Sequence, residues 1–233
     1  MENYKDIRTW MGDFPKNWKV DRIKDIFMDD LSIMNEKVIK EFEYVNHYSI
    51  PAFDEGETPA IEEGESISSG KKILNGKGLL FSKLNCHKPR VWLYEIIDSS
   101  QPSLASTEFI GLRPIFPNKV ELRYYKYLLG SIAFIEYVSI FLSSVTNSHK
   151  RINPNIFLAQ KVLHPPIDEQ IQIANFLDKV CNEIDTILFE NVGSLKISAN
   201  ETEKLEGSMY YELLKYKKSV IHEYVTGKKK VVL

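Results

Sequence analysis

Cysteine is scarce in this chain of 233 residues, present only as Cys86 and Cys181. The two lie far apart and without metal-type spacing, so neither a disulfide framework nor a zinc module is indicated. Reduced thiols in an intracellular setting are the expectation. Long apolar runs are also missing, and none reaches the roughly 20 residues of a membrane span. The opening MENYKDIRTW lacks the apolar core of a signal peptide. A cytoplasmic chain without a membrane partner is therefore expected. There is no internal repeat, and no overall excess of positive charge, the formal net charge being −2.

Cofactor and catalytic motifs fall short one by one. GKKILNGKG has five residues between Gly70 and Gly76 where a phosphate loop needs four, and Gly78 follows Lys77 where Ser or Thr is required. NPNI at 153–156 places Asn155 and Ile156 where the Asn-Pro-Pro-aromatic motif of amino-methyltransferases has proline and a ring, and Asn-Pro is an ordinary turn. Cys86-His87 has no second cluster to complete three or four metal ligands, nor a visible base to make a nucleophile. Local packing or a DNA contact suits it better. The histidines form no helical metal-binding pair. The carboxylates of 41–65 lack the spacing of a nuclease and read as a solvated acidic loop or a partner for a basic neighbour. No cofactor, no metal and no catalysis by the chain itself are expected.

Charge segregation is what the sequence does contain. Residues 41–65 carry eight acids (Glu41, Glu43, Asp54, Glu55, Glu57, Glu62, Glu63, Glu65) and no Lys or Arg. Residues 66–94 carry six bases (Lys71, Lys72, Lys77, Lys83, Lys88, Arg90) and no acid. A basic run is most often a solvated face, but this one has company. Lys83, Asn85, His87, Lys88 and Arg90, with Trp92 close by, mix phosphate-type donors with side chains able to read base edges. Asn147, His149, Lys150 and Arg151 repeat the mixture. Nucleic acid is the partner these patterns suggest. Lys71, Lys72 and Lys77 suit phosphate contacts; Asn85, His87, Arg90, Asn147 and Arg151 suit base readout. For Arg90 a salt bridge to the acidic segment is the competing reading.

The fold class read from the pattern is α+β: a mixed head over 1–165 and a helical region over 166–233. DRIKDIF predicts a short helix with Ile23, Ile26 and Phe27 inward. KEFEYVNHYSI, VWLYEII and STEFIGLRPI predict strands, and PAFDEGETPAIEEGE a loop. Asn75-Gly76 predicts the turn of a hairpin. Asn118 and Glu121 resemble a capping box before a helix through ELRYYKYLLGSIAFIEYVSIF, with Leu128, Ile132 and Ile135 buried. SSVTNSHKRINPN reads as a loop. After Pro165 and Pro166, Asp168 is the expected N-cap, with Glu169 favourable to the helix dipole. Ile173, Leu177, Val180, Ile184 and Ile187 follow at coiled-coil spacing. The seam slips through Leu188, Val192, Leu195 and Ala199, and resumes at Met209, Leu213, Tyr216 and Val220. An unbroken helix over 168–226 would span about 85–90 Å; Gly193 and Gly207 leave a kink or hairpin open.

Several of these segments are similar to one family. FPKNWKVDRIKDIF, with Pro15 and Trp18, HYSIPAFDEGETP, SGKKILNGKGLLFSKLNCHKPRVW, ASTEFIGLRP, LHPPIDEQIQIANFLDKVCNEID and SVIHEYVTGK resemble, in order, recurrent pieces of the DNA-specificity subunit of type I restriction–modification systems. PPIDEQ-x-x-IA-x-FLD followed by VTGK is the most specific part. The resemblance implies a mixed target-recognition domain and a conserved helical spacer. Full-length members have two of each, so it implies a half-subunit that forms a two-fold homodimer and favours a palindromic bipartite site. Ile173, Leu177, Val180, Ile184, Ile187, Leu213, Tyr216 and Val220 would form the dimer or partner surface. The resemblance also implies a separate methyltransferase (modification) subunit and a separate ATP-dependent restriction subunit. One departure stands out: the segment from Asp168 to Lys228 is about fifteen residues longer than usual for the family, with the excess placed near 193–208. A straight extension would add about 22 Å, a looped-out one almost nothing. Two other readings compete: a coiled-coil scaffold with a protein-binding head, and a truncated specificity chain without activity of its own.

Overall fold

The structure is a computed structural model, and it describes residues 8–97, 100–144, 150–192 and 208–231. After a short helix α1 (Arg8–Met11), the chain forms β1 (Lys19–Arg22), α2 (Ile23–Ile26) and β2 (Phe27–Met28). Ile23, Ile26 and Phe27 are all buried, as their spacing predicts. Next come β3 (Ile33–Met34), α3 (Glu36–Ile39), β4 (Tyr44–Tyr48), α4 (Ile50–Gly56) and β5 (Ala60–Glu63). The expected loop over 51–65 is thus half ordered. Ser49 caps α4 by accepting from the Ala52 N–H at 3.2 Å, and Pro51 sits in the first turn, where its missing N–H costs nothing.

The strands β6 (Lys71–Ile73), β7 (Gly76–Ser82), β8 (Val91–Ile96), β9 (Ser103–Ala105) and β10 (Phe109–Pro114) complete two sheets. One runs β2-β10-β7-β8; the other runs β3-β6-β9-β4-β5, with β4 and β9 parallel. The expected Asn75-Gly76 hairpin does not form. Gly76 does take a left-handed φ of 59°, but β6 and β7 leave it for different sheets. The hairpin is β7–β8 instead, in register from Gly76 opposite Ile96 to Phe81 opposite Val91. The reason lies in the β7 side chains. Leu79 and Phe81 face one apolar cluster and Leu80 faces another, so the strand is covered on both sides and reads as an unbroken apolar run.

The larger cluster is roofed by α5 (Leu122–Gly130), α6 (Ile132–Ser139) and α7 (Pro154–Leu158). One continuous helix over 121–141 was expected. The chain breaks at Ser131, whose extended backbone and hydroxyl cap the second helix by accepting from the Phe134 N–H. Leu128 and Ile135 are buried; Ile132, the first residue after the break, is exposed. Asn118 lies outside both helices, and Glu121 itself caps α5. The short strands β11 (Ser143–Ser144) and β12 (Lys150–Arg151) pair antiparallel, and β13 (Lys161–His164) pairs with β1.

Pro165 and Pro166 then release α8 (Ile167–Val192), and α9 (Met209–Val225) follows. Helix begins one residue ahead of Asp168, which lies in the first turn and is not the cap. No single rod runs from 168 to 226. Phe176 meets Tyr224 with centroids 4.3 Å apart, and Lys217 binds Asp185 at 2.6 Å. Later residues of one helix meet earlier residues of the other, so the two are antiparallel, and α8 alone is about 39 Å long. Ile173, Leu177, Ile184 and Val220 are buried, Val180 and Leu213 half-buried, and Ile187 and Tyr216 exposed. The buried part of the seam is therefore occupied within the chain. Leu195 and Ala199 fall outside the described residues.

The helical pair is clasped to the head. Glu169 accepts from the Trp18 indole at 2.8 Å and from Asn17 at 2.6 Å. Gln170, fully buried, accepts from the Glu121 N–H and donates to the Lys119 and Pro165 carbonyls. The Tyr124 hydroxyl donates to the Val225 carbonyl at 3.1 Å. Gly227 has φ +72°, and a Cβ there would stand 2.4 Å from Pro15 Cδ; only glycine fits. Trp18, Tyr124, Leu177, Val220 and Val225 share one apolar cluster, so the core runs unbroken across the proline pair.

Candidate nucleic-acid interface

The β7–β8 connection, residues 83–90, is a tight excursion anchored from below. Asn85 adopts a left-handed φ of 51°, its carbonyl accepts from the Lys88 N–H, and its own N–H donates to the Lys150 carbonyl at 2.8 Å. Cys86 points inward, its thiol directed at the Ser82 and Lys83 carbonyls. Burial pushes that thiol up to about 11, which leaves it protonated and inert near neutral pH. With Cys86 as the plug, His87, Lys88 and Pro89 are turned to solvent.

The second basic cluster lies against the first. Ile152 donates to the Lys83 carbonyl at 3.0 Å, and Leu84 bridges Arg151. Lys83, Asn85, His87, Lys88, Lys150 and Arg151, split in sequence, form one surface. Two carboxylates flank it, and reading the sequence did not single out either of them. Glu108 pairs with Arg151 at 3.1 Å. Asp54, at the end of α4, takes a two-pronged pair with Arg90 at 2.6 and 2.7 Å. Arg90 is thereby buried, which is the salt bridge to the acidic segment that the sequence left open. Its donors are not presented to a base edge.

The other candidates lie elsewhere. Lys71 is buried, its ammonium donating to the Ser69 carbonyl and hydroxyl, and burial lowers its pKa. Lys72 is held by Asp29 at 2.6 Å. Lys77 is exposed but stands about 20 Å from Lys83 along β7. It lines a cleft of about 520 Å³ with Glu95, Arg113 and Glu121 over an apolar floor that includes Met28 and Leu93. Trp92 is buried against Tyr48, Phe53 and Phe109 and offers no face for stacking. Asn147 and His149 fall outside the described residues. Among the described residues, no three His, Cys, Asp or Glu side chains gather as metal ligands, and no helix is long and apolar enough to cross a membrane.

Comparison with known proteins places this geometry. A family model described as the type I restriction modification DNA specificity domain matches residues 15–192. A relative in Methanocaldococcus jannaschii, described as the type I restriction enzyme MjaX specificity subunit, is 28% identical over 232 residues, covering 95% of this chain and 52% of the relative. The HsdS subunit from Thermoanaerobacter tengcongensis superposes with a TM-score of 0.60 at 16% identity, over 82% of this chain and 48% of that one. A chain from a structural study of complex assembly and conformational transition in the type I R-M system gives 0.60 at 16% identity, over 86% and 50%. These two likenesses establish the fold. The chain spans about half the length of each of these relatives.

Proposed function

The chain belongs to the type I restriction–modification DNA specificity family, and from that premise we propose that it supplies sequence-specific recognition of double-stranded DNA to a complex whose chemistry lies in other subunits. The observation that carries this reading is the convergence of loop 83–90 with strand β12 into one surface bearing Lys83, His87, Lys88, Lys150 and Arg151. Ammonium and guanidinium groups there neutralise phosphates and fix the register; Asn85, His87 and Arg151 are the side chains able to reach base edges. Methyl transfer falls to a separate modification subunit using S-adenosylmethionine. Cleavage and translocation fall to a separate ATP-dependent restriction subunit.

The division of labour follows the proline pair: residues 1–165 read DNA, and residues 166–233 space and assemble. The 4-3 spacing of the α8 seam supports coiled-coil packing. Its buried residues are already engaged within the chain, so a two-fold homodimer would pair through the exposed Ile187, Phe189, Met209 and Tyr216. Two such heads would address a bipartite, palindromic site. Methylome sequencing of a host carrying this chain and a modification subunit tests the reading. A split modified motif is the expected result; an unmodified genome, with no duplex binding by the purified pair at low salt, overturns it.

A further inference from the structure

The two arginine–carboxylate pairs beside loop 83–90 are built in opposite senses. At β12 the arginine is the outer member: the Arg151 side chain is 44% exposed and Glu108 28%. At α4 the order is reversed: the Arg90 side chain is 7% exposed and Asp54 49%. The loop is thus flanked by donors on one side and by an acceptor on the other. A surface meant only for phosphates gains nothing from an outward carboxylate, which repels them. A surface that reads bases does, since a carboxylate accepts from the exocyclic amine of cytosine.

The carboxylate is also held still. Arg90 engages both Asp54 oxygens with a planar fork, which fixes the orientation and leaves outward lone pairs open. Phe53 packs edge-on against Trp92 at 5.6 Å, Ser49 caps the start of α4, and Glu57 ties its end to Lys126 at 2.6 Å. The Arg90 hydrogen bond, with Lys88 nearby, keeps the Asp54 carboxyl below its ordinary range despite partial burial. A rigid acceptor on a framework element is what precise readout requires. Arg90 could reach a base itself only by giving up both of its bonds to Asp54 and leaving the buried site that holds it.

We infer that Asp54 is a base-reading residue, its carboxylate accepting a hydrogen bond from the exocyclic amine of a cytosine or adenine in the major groove, and that Arg90 is the residue that positions it. The inference rests on the DNA-recognition reading above and adds a residue and a polarity to it. Selection by the 233-residue chain from a randomised duplex pool tests it. Wild type should enrich cytosine or adenine at one position. Asp54→Ala should cut that preference about tenfold while leaving the others in place, and where wild type selects cytosine, Asp54→Asn should shift it toward adenine. A second arm needs no variant: the selected base is replaced by its analogue lacking the amine, purine for adenine or 2-pyrimidinone for cytosine. Wild-type affinity should fall about tenfold for the analogue that matches, which also tells the two bases apart. Equal affinity for the analogue, or the same preference at every position in Asp54→Ala, overturns the assignment and leaves DNA recognition intact. Failure of wild type to bind any duplex overturns both.

Discussion

The clasp at the foot of α8 and the surface around loop 83–90 use many of the same residue types to opposite ends. In the clasp the side chains of Glu169 and Gln170 bond to partners inside the chain, and at Gly227 the Pro15 ring leaves no room for a Cβ. Around the loop, His87 and Lys88 face water, and the arginine–carboxylate pairs stand partly open. The PPIDEQ and VTGK segments build the first region. The second is the proposed DNA-facing surface. The recurrent motifs thus build the clasp, whereas the proposed recognition surface is drawn from less patterned loops.

Substitutions should separate the two regions. In the clasp, Leu177→Ala empties a fully buried site and should cost about 2–5 kcal/mol in denaturant unfolding. Gln170→Ala orphans the Glu121 N–H and two carbonyls and should cost about 1–3 kcal/mol. Both should leave the salt dependence of DNA binding unchanged wherever the protein remains folded. A smaller effect concerns His164, whose Nδ1 is hydrogen-bonded with the Tyr125 hydroxyl at 2.7 Å. Burial lowers its pKa below the ordinary 6.5, against the opposing pull of Asp21. The folded state then favours neutral imidazole. Its contribution is present above pH 6.5 and fades as the pH falls toward the depressed value. His164→Gln should flatten the drop in unfolding midpoint between pH 7.5 and pH 5. Smallest of all, native Cys86 should resist alkylation at pH 7.5 and react only on unfolding, since burial protonates and covers it.

How much of this was legible varies with the reach of the interaction. Tyr44–Tyr48, Val91–Ile96 and Phe109–Pro114 announced themselves through local β-formers, and Ile23 to Phe27 through spacing. Asn75-Gly76 misled because a turn dipeptide specifies a left-handed glycine, not a strand partner; the partners were settled by two cores sharing β7. Ser131 hid a helix break because a serine inside an apolar helical pattern can turn to solvent or bond its own helix as well as cap a new one, and the pattern on either side of it is the same. The contact between loop 83–90 and β12 joins residues some 65 positions apart, and no local pattern encodes it. Arg90 was readable as either a base contact or a salt bridge, and Asp54, one acid among eight, carried no mark of its own.

The central claim is that the surface around loop 83–90 and β12 is the part that meets DNA. The most direct measurement is the affinity of the 233-residue chain for duplex DNA between roughly 50 and 200 mM salt, for wild type and for Lys88→Ala/Arg151→Ala. The account predicts a steep linear fall of log K with log salt for wild type and a slope shallower by about two for the double variant, with folding stability within about 0.5 kcal/mol of wild type. Identical slopes for the two proteins would contradict it.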